Sequence, residues 1–272
     1  MIVFYKVPLY NRKELRIHTR EGKVDDMIRL ILVSLFLIIF LILSIPIMLF
    51  ERVVKKFNPH AADISSLRIV QWAFKVILFF TGTKLTIIGE DRIPKDQAVL
   101  YVPNHQSYFD IVITYSRCPG LTGYVSKDFM EKIPLLSNWM KHLYCLFLDR
   151  SDMKAGLKTI LTGIDYIKNG ISICIFPEGT RNPHPEEGLL PFKEGSLKMA
   201  EKTGCPIIPI AITGSQDIWE KHMPFMRKCR VIVEYGEPIY LNQLDKERRK
   251  FSGAYTQSKI KEMLENHKSM IA

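Results

Sequence analysis

The sequence predicts an α/β fold, in which a mixed, mostly parallel sheet covered by helices is preceded by an N-terminal two-helix membrane-anchoring segment. Three observations predict it. Beyond residue 83, short apolar runs alternate with stretches of helical spacing, the pattern of a sheet buried on both faces. Between residues 30 and 50 the chain carries no charge over 21 positions, and only Ser34, Ser44 and Pro46 lie outside the apolar set. Two polar clusters directly follow strand-like runs, at the strand ends where α/β sheets build their sites. Residues 1–83 are therefore read as the anchor and 84–272 as the α/β domain.

The anchor comes first. Twenty-one helical residues reach about 30 Å, the thickness of a hydrocarbon core. Pro46 is expected to interrupt this run near its end. A second helix is expected over about residues 65–81, with Asn58-Pro59 breaking the chain between the two. Such a pair is suited to lying in one leaflet, or the second helix packs on the soluble body. The chain of 272 residues has a net charge of +10, and the excess is local. Residues 1–29 carry 7 basic and 4 acidic side chains and residues 51–97 carry 8 and 5, whereas the remaining 175 carry 23 and 19. Basic residues bracketing an apolar run suit anionic lipid head groups, and no nucleic-acid-binding motif accompanies them. Cations lie on both sides of the run, so charge bias sets no orientation. A secretory signal peptide fits poorly, because the polar lead is long and no small-residue cleavage site follows.

The body follows in order. Strands are expected at residues 84–88, 98–102, 144–148, 171–176, 207–212 and 230–235, with Lys127 at a further strand-to-helix junction. Helices are expected from near Ser107 to residue 116, at 155–169 closed by Gly170, and at 195–202. Residues 246–267 read as a highly charged, solvated helix. The five cysteines, at 118, 145, 174, 205 and 229, are odd in number and widely spaced. That argues against a disulfide framework or zinc site and for a reducing, cytosol-facing body.

The first polar cluster is Asn104-His105-Gln106-Ser107-Tyr108-Phe109-Asp110. His105 leaves a strand and Asp110 falls in the first turn of the next helix. That turn can return the carboxylate to the imidazole, leaving the other ring nitrogen as a general base. The spacing alone is weak, with roughly 0.3 such His–Asp pairs expected by chance, and a capping turn with a surface histidine is the alternative. The second cluster, Phe176-Pro177-Glu178-Gly179-Thr180-Arg181, combines a glycine turn, a hydroxyl and a guanidinium suited to phosphate, with Glu178 placed to orient the arginine or a substrate hydroxyl. Lys127 and Arg150, beside Asp149, are candidates to join Arg181 in one anion pocket.

Together these blocks resemble the glycerolipid acyltransferases. Residues 104–110 fit the N-H-x-S-x-x-D signature, and residues 176–181 fit the F-P-E-G-T-R signature of the 1-acylglycerol-3-phosphate (lysophosphatidic acid) branch. Lys127, Ile133-Pro134 and Phe147-Leu148-Asp149-Arg150 are similar to its second block, and Cys205-Pro206-Ile207-Ile208-Pro209 to its fourth. Lys193 and Gly195 match a further block. Ser137, Tyr144-Cys145 and Asn182 depart from the usual pattern, which bears on acyl-chain and head-group preference.

The resemblance implies acyl transfer from a thioester to the 2-hydroxyl of 1-acylglycerol 3-phosphate, giving phosphatidic acid for phospholipid synthesis. By that resemblance His105 and Asp110 form the catalytic dyad, and Lys127, Arg150, Glu178, Gly179, Thr180 and Arg181 bind the acceptor. No cofactor is implied beyond acyl carrier protein or a coenzyme A thioester as co-substrate, and no metal. The expected partners are the bilayer, lysophosphatidic acid and the acyl donor, with the site facing the cytoplasm. The alternatives are transfer to another lysolipid or to glycerol 3-phosphate, and a non-catalytic protein that binds anionic lipid. Phe129, Met130, Leu135, Leu136, Trp139 and Met140 are read either as lining for the acyl chain or as ordinary core.

Overall fold

The computed structural model describes residues 12–149 and 151–271, with side chains from residue 22 to 270 apart from Arg150. Helix α1 spans Arg12–Phe57, and α2 spans Pro59–Thr81. The turn between them has a local cause. Asn58 Oδ1 accepts from Ala61 N at 3.0 Å, and Pro59 starts α2 with a fixed φ and no amide to satisfy. That start lies about six residues before the apolar spacing placed it, because the cap, not the apolar face, sets the boundary. Helix α1 does not stop at Pro46. It continues through it for another 11 residues, as proline allows when neighbouring groups occupy the freed backbone region. Gly82, at φ 69°, ends α2 in the left-handed conformation.

Seven strands follow: β1 (Lys84–Ile88), β2 (Leu100–Pro103), β3 (Thr122–Lys127), β4 (Leu146–Leu148), β5 (Ser172–Cys174), β6 (Ile207–Thr213) and β7 (Arg230–Tyr235). Their order across the sheet is β1-β7-β6-β2-β5-β3-β4. Strands β4, β3, β5, β2 and β6 run parallel, whereas β7 pairs antiparallel with β6 and parallel with β1. Five strands therefore deliver their carboxyl ends to one edge. Between them lie α3 (Phe109–Tyr115), α4 (Leu136–His142), α5 (Met153–Lys168) and α6 (Lys198–Thr203), and α7 (Lys246–Lys250) and α8 (Ser252–Ile271) follow β7.

Alternate residues of β2, β5 and β6 enter two separate cores. Tyr101, Cys174, Ile208, Ile210 and Val231 pack with Leu67, Val70 and Ile77 of α2, Val33 and Met48 of α1, and Ile113 of α3. Leu100, Val102, Ile173, Ile207 and Ala211 pack with Ile164 and Ile167 of α5, Met199 of α6, and Ile260 and Met263 of α8. Helix α2 thus packs on the body, the second of the two arrangements expected for it. Much of α1 remains uncovered, with Leu35, Ile38, Leu43 and Phe50 exposed, as are Trp72 and Phe79 of α2. An exposed apolar surface of this extent suits membrane association, and both helices are long and apolar enough to cross a bilayer.

Three expectations need correction. The helix expected at 246–267 is two helices broken at Phe251, and α8 is not merely solvated. Ser252, Thr256, Ile260, Met263 and His267 form a buried stripe at three- and four-residue spacing, masked in the sequence by charges on the other faces. Residues 194–197 form a tight 3-10 turn before α6. Strand β4 begins only at Leu146, because Tyr144 has φ 59°. Of the residues read as acyl-chain lining or core, Trp139 belongs to the core, stacked on Phe40 with its Nε1 donating to Ser44 Oγ at 2.9 Å, while Phe129 is exposed.

Strand β3, unassigned from sequence apart from its end at Lys127, lies hard against the chain entering β4. A Cβ at Gly123 would sit 2.2 Å from the Tyr144 carbonyl oxygen. Gly123→Ala is accordingly expected to destabilise the fold by about 1–3 kcal/mol, as over-packing of a core does. A denaturant melt that matches wild type would refute it.

Candidate functional site

The site forms where β2, β5 and β6 end side by side. Asn104, the first residue after β2, uses its side-chain amide as a strand partner for Ile212 of β6. Its Oδ1 accepts from Ile212 N at 2.7 Å, and its Nδ2 donates to Ile212 O at 3.0 Å. The chain then turns into α3. Ser107 Oγ accepts from Phe109 N at 2.9 Å, which starts that helix.

In this turn His105 Nδ1 lies 2.8 Å from Asp110 Oδ2. The same oxygen accepts from Gln106 N at 2.7 Å and Ser107 N at 2.8 Å, while Oδ1 accepts from Ser215 Oγ at 2.5 Å. Asp110 is fully buried, and two backbone amides and the Ser215 hydroxyl donate to it. An oxygen that already accepts from two backbone amides is placed to accept from Nδ1 as well, the tautomer that leaves Nε2 with a free lone pair. The imidazole stacks on Phe176, with ring centroids 4.0 Å apart, and its side chain is 13% exposed.

The loop after β5 holds the same turn from the other side. His105 N donates to Glu178 Oε1 at 2.7 Å, and His105 O accepts from Asn182 N at 2.7 Å. Glu178 Oε2 accepts from Leu190 N at 3.0 Å. Each carboxylate oxygen of Glu178 accepts from a backbone amide, so its side chain braces two loops. Burial pushes its carboxyl above the ordinary range, against the pull of those two amides and of His105. Gly179, at φ 78°, makes the turn that a side chain would strain. Arg181 lies over the Tyr108 ring at 3.6 Å, donates to Tyr108 OH at 3.0 Å, and has Glu220 Oε1 at 3.7 Å.

Residues 84–213 match the family model described as Acyltransferase. That segment belongs to the Acyltransferase family. The chain is 29% identical over 211 residues to the probable 1-acyl-sn-glycerol-3-phosphate acyltransferase of Mycoplasma pneumoniae, covering 72% of this chain and 76% of that one. It is 28% identical over 192 residues to the Saccharomyces cerevisiae 1-acyl-sn-glycerol-3-phosphate acyltransferase (68% of this chain, 63% of that one). With the chloroplastic enzyme BAT2 of Brassica napus it shares 30% over 217 residues (78% and 59%). The chain thus spans less than two thirds of the yeast and Brassica proteins. Its fold matches the crystal structure of the 1-acyl-sn-glycerophosphate (LPA) acyltransferase PlsC from Thermotoga maritima, with a TM-score of 0.75 at 22% identity over 90% of this chain and 97% of that one.

Within the acyltransferase domain, the structure gathers His105, Asp110, Glu178, Gly179 and Arg181 into one cluster. Thr180 sits in the same loop and is exposed. Lys127 closes β3, in register with Leu148 of β4, so it reaches the same edge on the far side of β5. Arg150 lies outside the described residues. Lys193 N donates to Pro177 O at 3.0 Å, which ties the segment before α6 to the arginine loop. The sequence reading missed Ser215 and Glu220. Both lie in turns after β6, more than 100 positions from the turn that they hold, and a lone serine or glutamate carries no local signal of such a role.

Proposed function

We propose that this acyltransferase moves a fatty acyl group from an acyl thioester to the 2-hydroxyl of 1-acylglycerol 3-phosphate, yielding phosphatidic acid. The observation that carries the reading is the His105–Asp110 pair held beside an arginine with donors to spare. Its similarity to 1-acyl-sn-glycerol-3-phosphate acyltransferases supports the same acceptor. His105 Nε2 takes the hydroxyl proton as the oxygen attacks the thioester carbonyl carbon. The new C–O bond forms, the C–S bond breaks, and the proton passes from His105 to the departing thiolate. Asp110 holds the ring and stabilises the imidazolium, so attack is direct and needs no protein nucleophile.

Arg181 binds the acceptor's phosphate together with Lys127, which ends β3 at the same edge; Arg150 is the third cation assigned to that phosphate, and the backbone of Gly179 and Thr180 shapes the loop. Glu178 contributes by holding that loop to His105. The donor is acyl carrier protein or coenzyme A carrying the acyl group, each a water-soluble thioester reached from the cytoplasm. The apolar helices place the enzyme where its lipid acceptor resides, and the five free thiols suit a reducing compartment.

The test is a transfer assay across lysophospholipids, glycerol 3-phosphate and monoacylglycerol with both donors. Preference for 1-acylglycerol 3-phosphate is expected. Arg181→Ala is expected to raise KM for that acceptor by about 10- to 100-fold, the worth of a charge-assisted contact. Its KM for monoacylglycerol, which lacks the phosphate, should barely move. An unchanged KM for the phosphate-bearing acceptor counts against the assignment.

A further inference from the structure

We propose that Glu220 is a positioning residue that couples recognition of the acceptor's phosphate to the geometry of the His105–Asp110 pair, with Tyr108 as the connecting side chain. The proposal rests on the reading of Arg181 as the phosphate-binding arginine. Glu220 lies in the short turn after β6, and its side chain is 16% exposed. Its Oε2 accepts from Ser107 Oγ at 2.8 Å and its Oε1 from Tyr108 N at 2.7 Å. These donors belong to the turn whose Gln106 and Ser107 amides hold Asp110. One carboxylate thus fixes the strand-to-helix turn on which the dyad depends.

The same carboxylate faces the arginine. Arg181 Nη1 is 3.7 Å from Glu220 Oε1, close enough for attraction but beyond hydrogen-bond length. The guanidinium is oriented without being saturated, and its fork remains available to an anion. Its plane is set by the Tyr108 ring beneath it, and Tyr108 in turn lies 5.8 Å from the Trp219 ring, one residue before Glu220. Glu220 therefore holds Arg181 directly by charge and indirectly through the residue on which Arg181 rests. A phosphomonoester drawn to Arg181 shares that cation with Glu220. Any shift of the arginine reaches Tyr108, whose backbone amide is bound to the same carboxylate. A neutral acceptor has no such handle.

Initial rates of the full chain with 1-acylglycerol 3-phosphate and its acyl thioester donor test the proposal, in Glu220→Ala, Glu220→Gln, Tyr108→Ala, Arg181→Ala and the two doubles with Arg181→Ala. Glu220→Ala is expected to lower kcat about 10-fold and raise KM about 10-fold, because both outputs of the carboxylate are lost. Glu220→Gln should recover most of kcat, since the amide oxygen can serve Tyr108 N while its nitrogen donates to Ser107 Oγ. Tyr108→Ala should raise KM by about 5-fold, more than it lowers kcat. With Arg181→Ala already present, neither change should raise KM further, the mark of residues acting through one another. Wild-type KM in both Glu220→Ala and Tyr108→Ala, or KM factors that multiply when either is combined with Arg181→Ala, overturns the proposal while Arg181 keeps its role. A normal KM in Arg181→Ala alone overturns the phosphate reading and the proposal with it. Tyr108 is half exposed, so its variant keeps the test decisive if Glu220→Ala fails to fold.

Discussion

Replacing His105 by alanine is expected to lower kcat by about 10²- to 10⁴-fold, the range that a positioned general base contributes. The geometry argues for a catalytic effect with little structural cost. Among the described residues the imidazole makes one hydrogen bond, to Asp110, and one ring contact, to Phe176, whereas the residue's backbone carries the bonds to Glu178 and Asn182. Alanine keeps both backbone bonds, so the loops stay in place and lipid binding should survive. Transfer should fall while KM for the acceptor moves little, because nothing in the proposed phosphate site is removed. Near-wild-type transfer by purified His105→Ala enzyme would exclude the general-base mechanism. Residual transfer at a fraction of the wild-type rate is expected, because positioning of two substrates contributes independently of the base.

Asp110→Asn is expected to lower kcat by about 10²- to 10³-fold, or roughly 2.7–4 kcal/mol of transition-state stabilisation. The substitution is nearly isosteric, and the contacts decide which way the amide faces. Oδ2 meets two backbone N–H donors and His105 Nδ1, so the amide nitrogen cannot sit there; among the described residues Oδ1 meets only Ser215 Oγ, a hydroxyl that can reverse and accept. The ring orientation is therefore kept, and what is lost is the negative charge that stabilises the imidazolium. Asp110→Ala differs in kind. It leaves the Gln106 and Ser107 amides and the Ser215 hydroxyl unpaired in a fully buried place, each costing about 1–3 kcal/mol. The alanine variant should therefore melt well below wild type, and the asparagine variant close to it. Equal rates for wild type and Asp110→Asn would remove Asp110 from the chemistry. Equal melting of the alanine and asparagine variants would contradict the hydrogen-bond account.

How much was legible in the sequence depended on the range of the interaction. The alternation of apolar runs after residue 83 located six of the seven strands, because a strand buried on both faces must be apolar along its length. The missed strand, β3, reads Thr-Gly-Tyr-Val-Ser-Lys and has no such run. Its place is set by pairing with β5 and β4 and by the absence of a side chain at Gly123. The closeness of His105 to Asp110 was legible because the two residues span one turn. The bonds of Glu178 to His105 N and Leu190 N were not, since they join chain segments 73 and 12 residues apart. The buried stripe of α8 was hidden for a related reason. Its Ser, Thr and His members are polar, and their burial is intelligible only in the fold, where His267 bonds to Thr213 and Glu234 and Thr256 Oγ1 donates to Ser252 O.

The order of strands and helices, the apolar N-terminal run, the His105–Asp110 turn and the arginine loop all follow from neighbours along the chain. Local periodicity, caps and turn residues act over a few positions and leave their mark in composition. The sheet order, the packing of α2 on the body, the grip of Ser215 on Asp110 and the link from Glu220 through Tyr108 to Arg181 needed the folded chain. Each joins segments far apart in sequence, and a hydrogen bond between them depends on where the sheet brings their strand ends together. The chemistry of the groups is written locally, while their partnership arises from the parallel strands that end side by side.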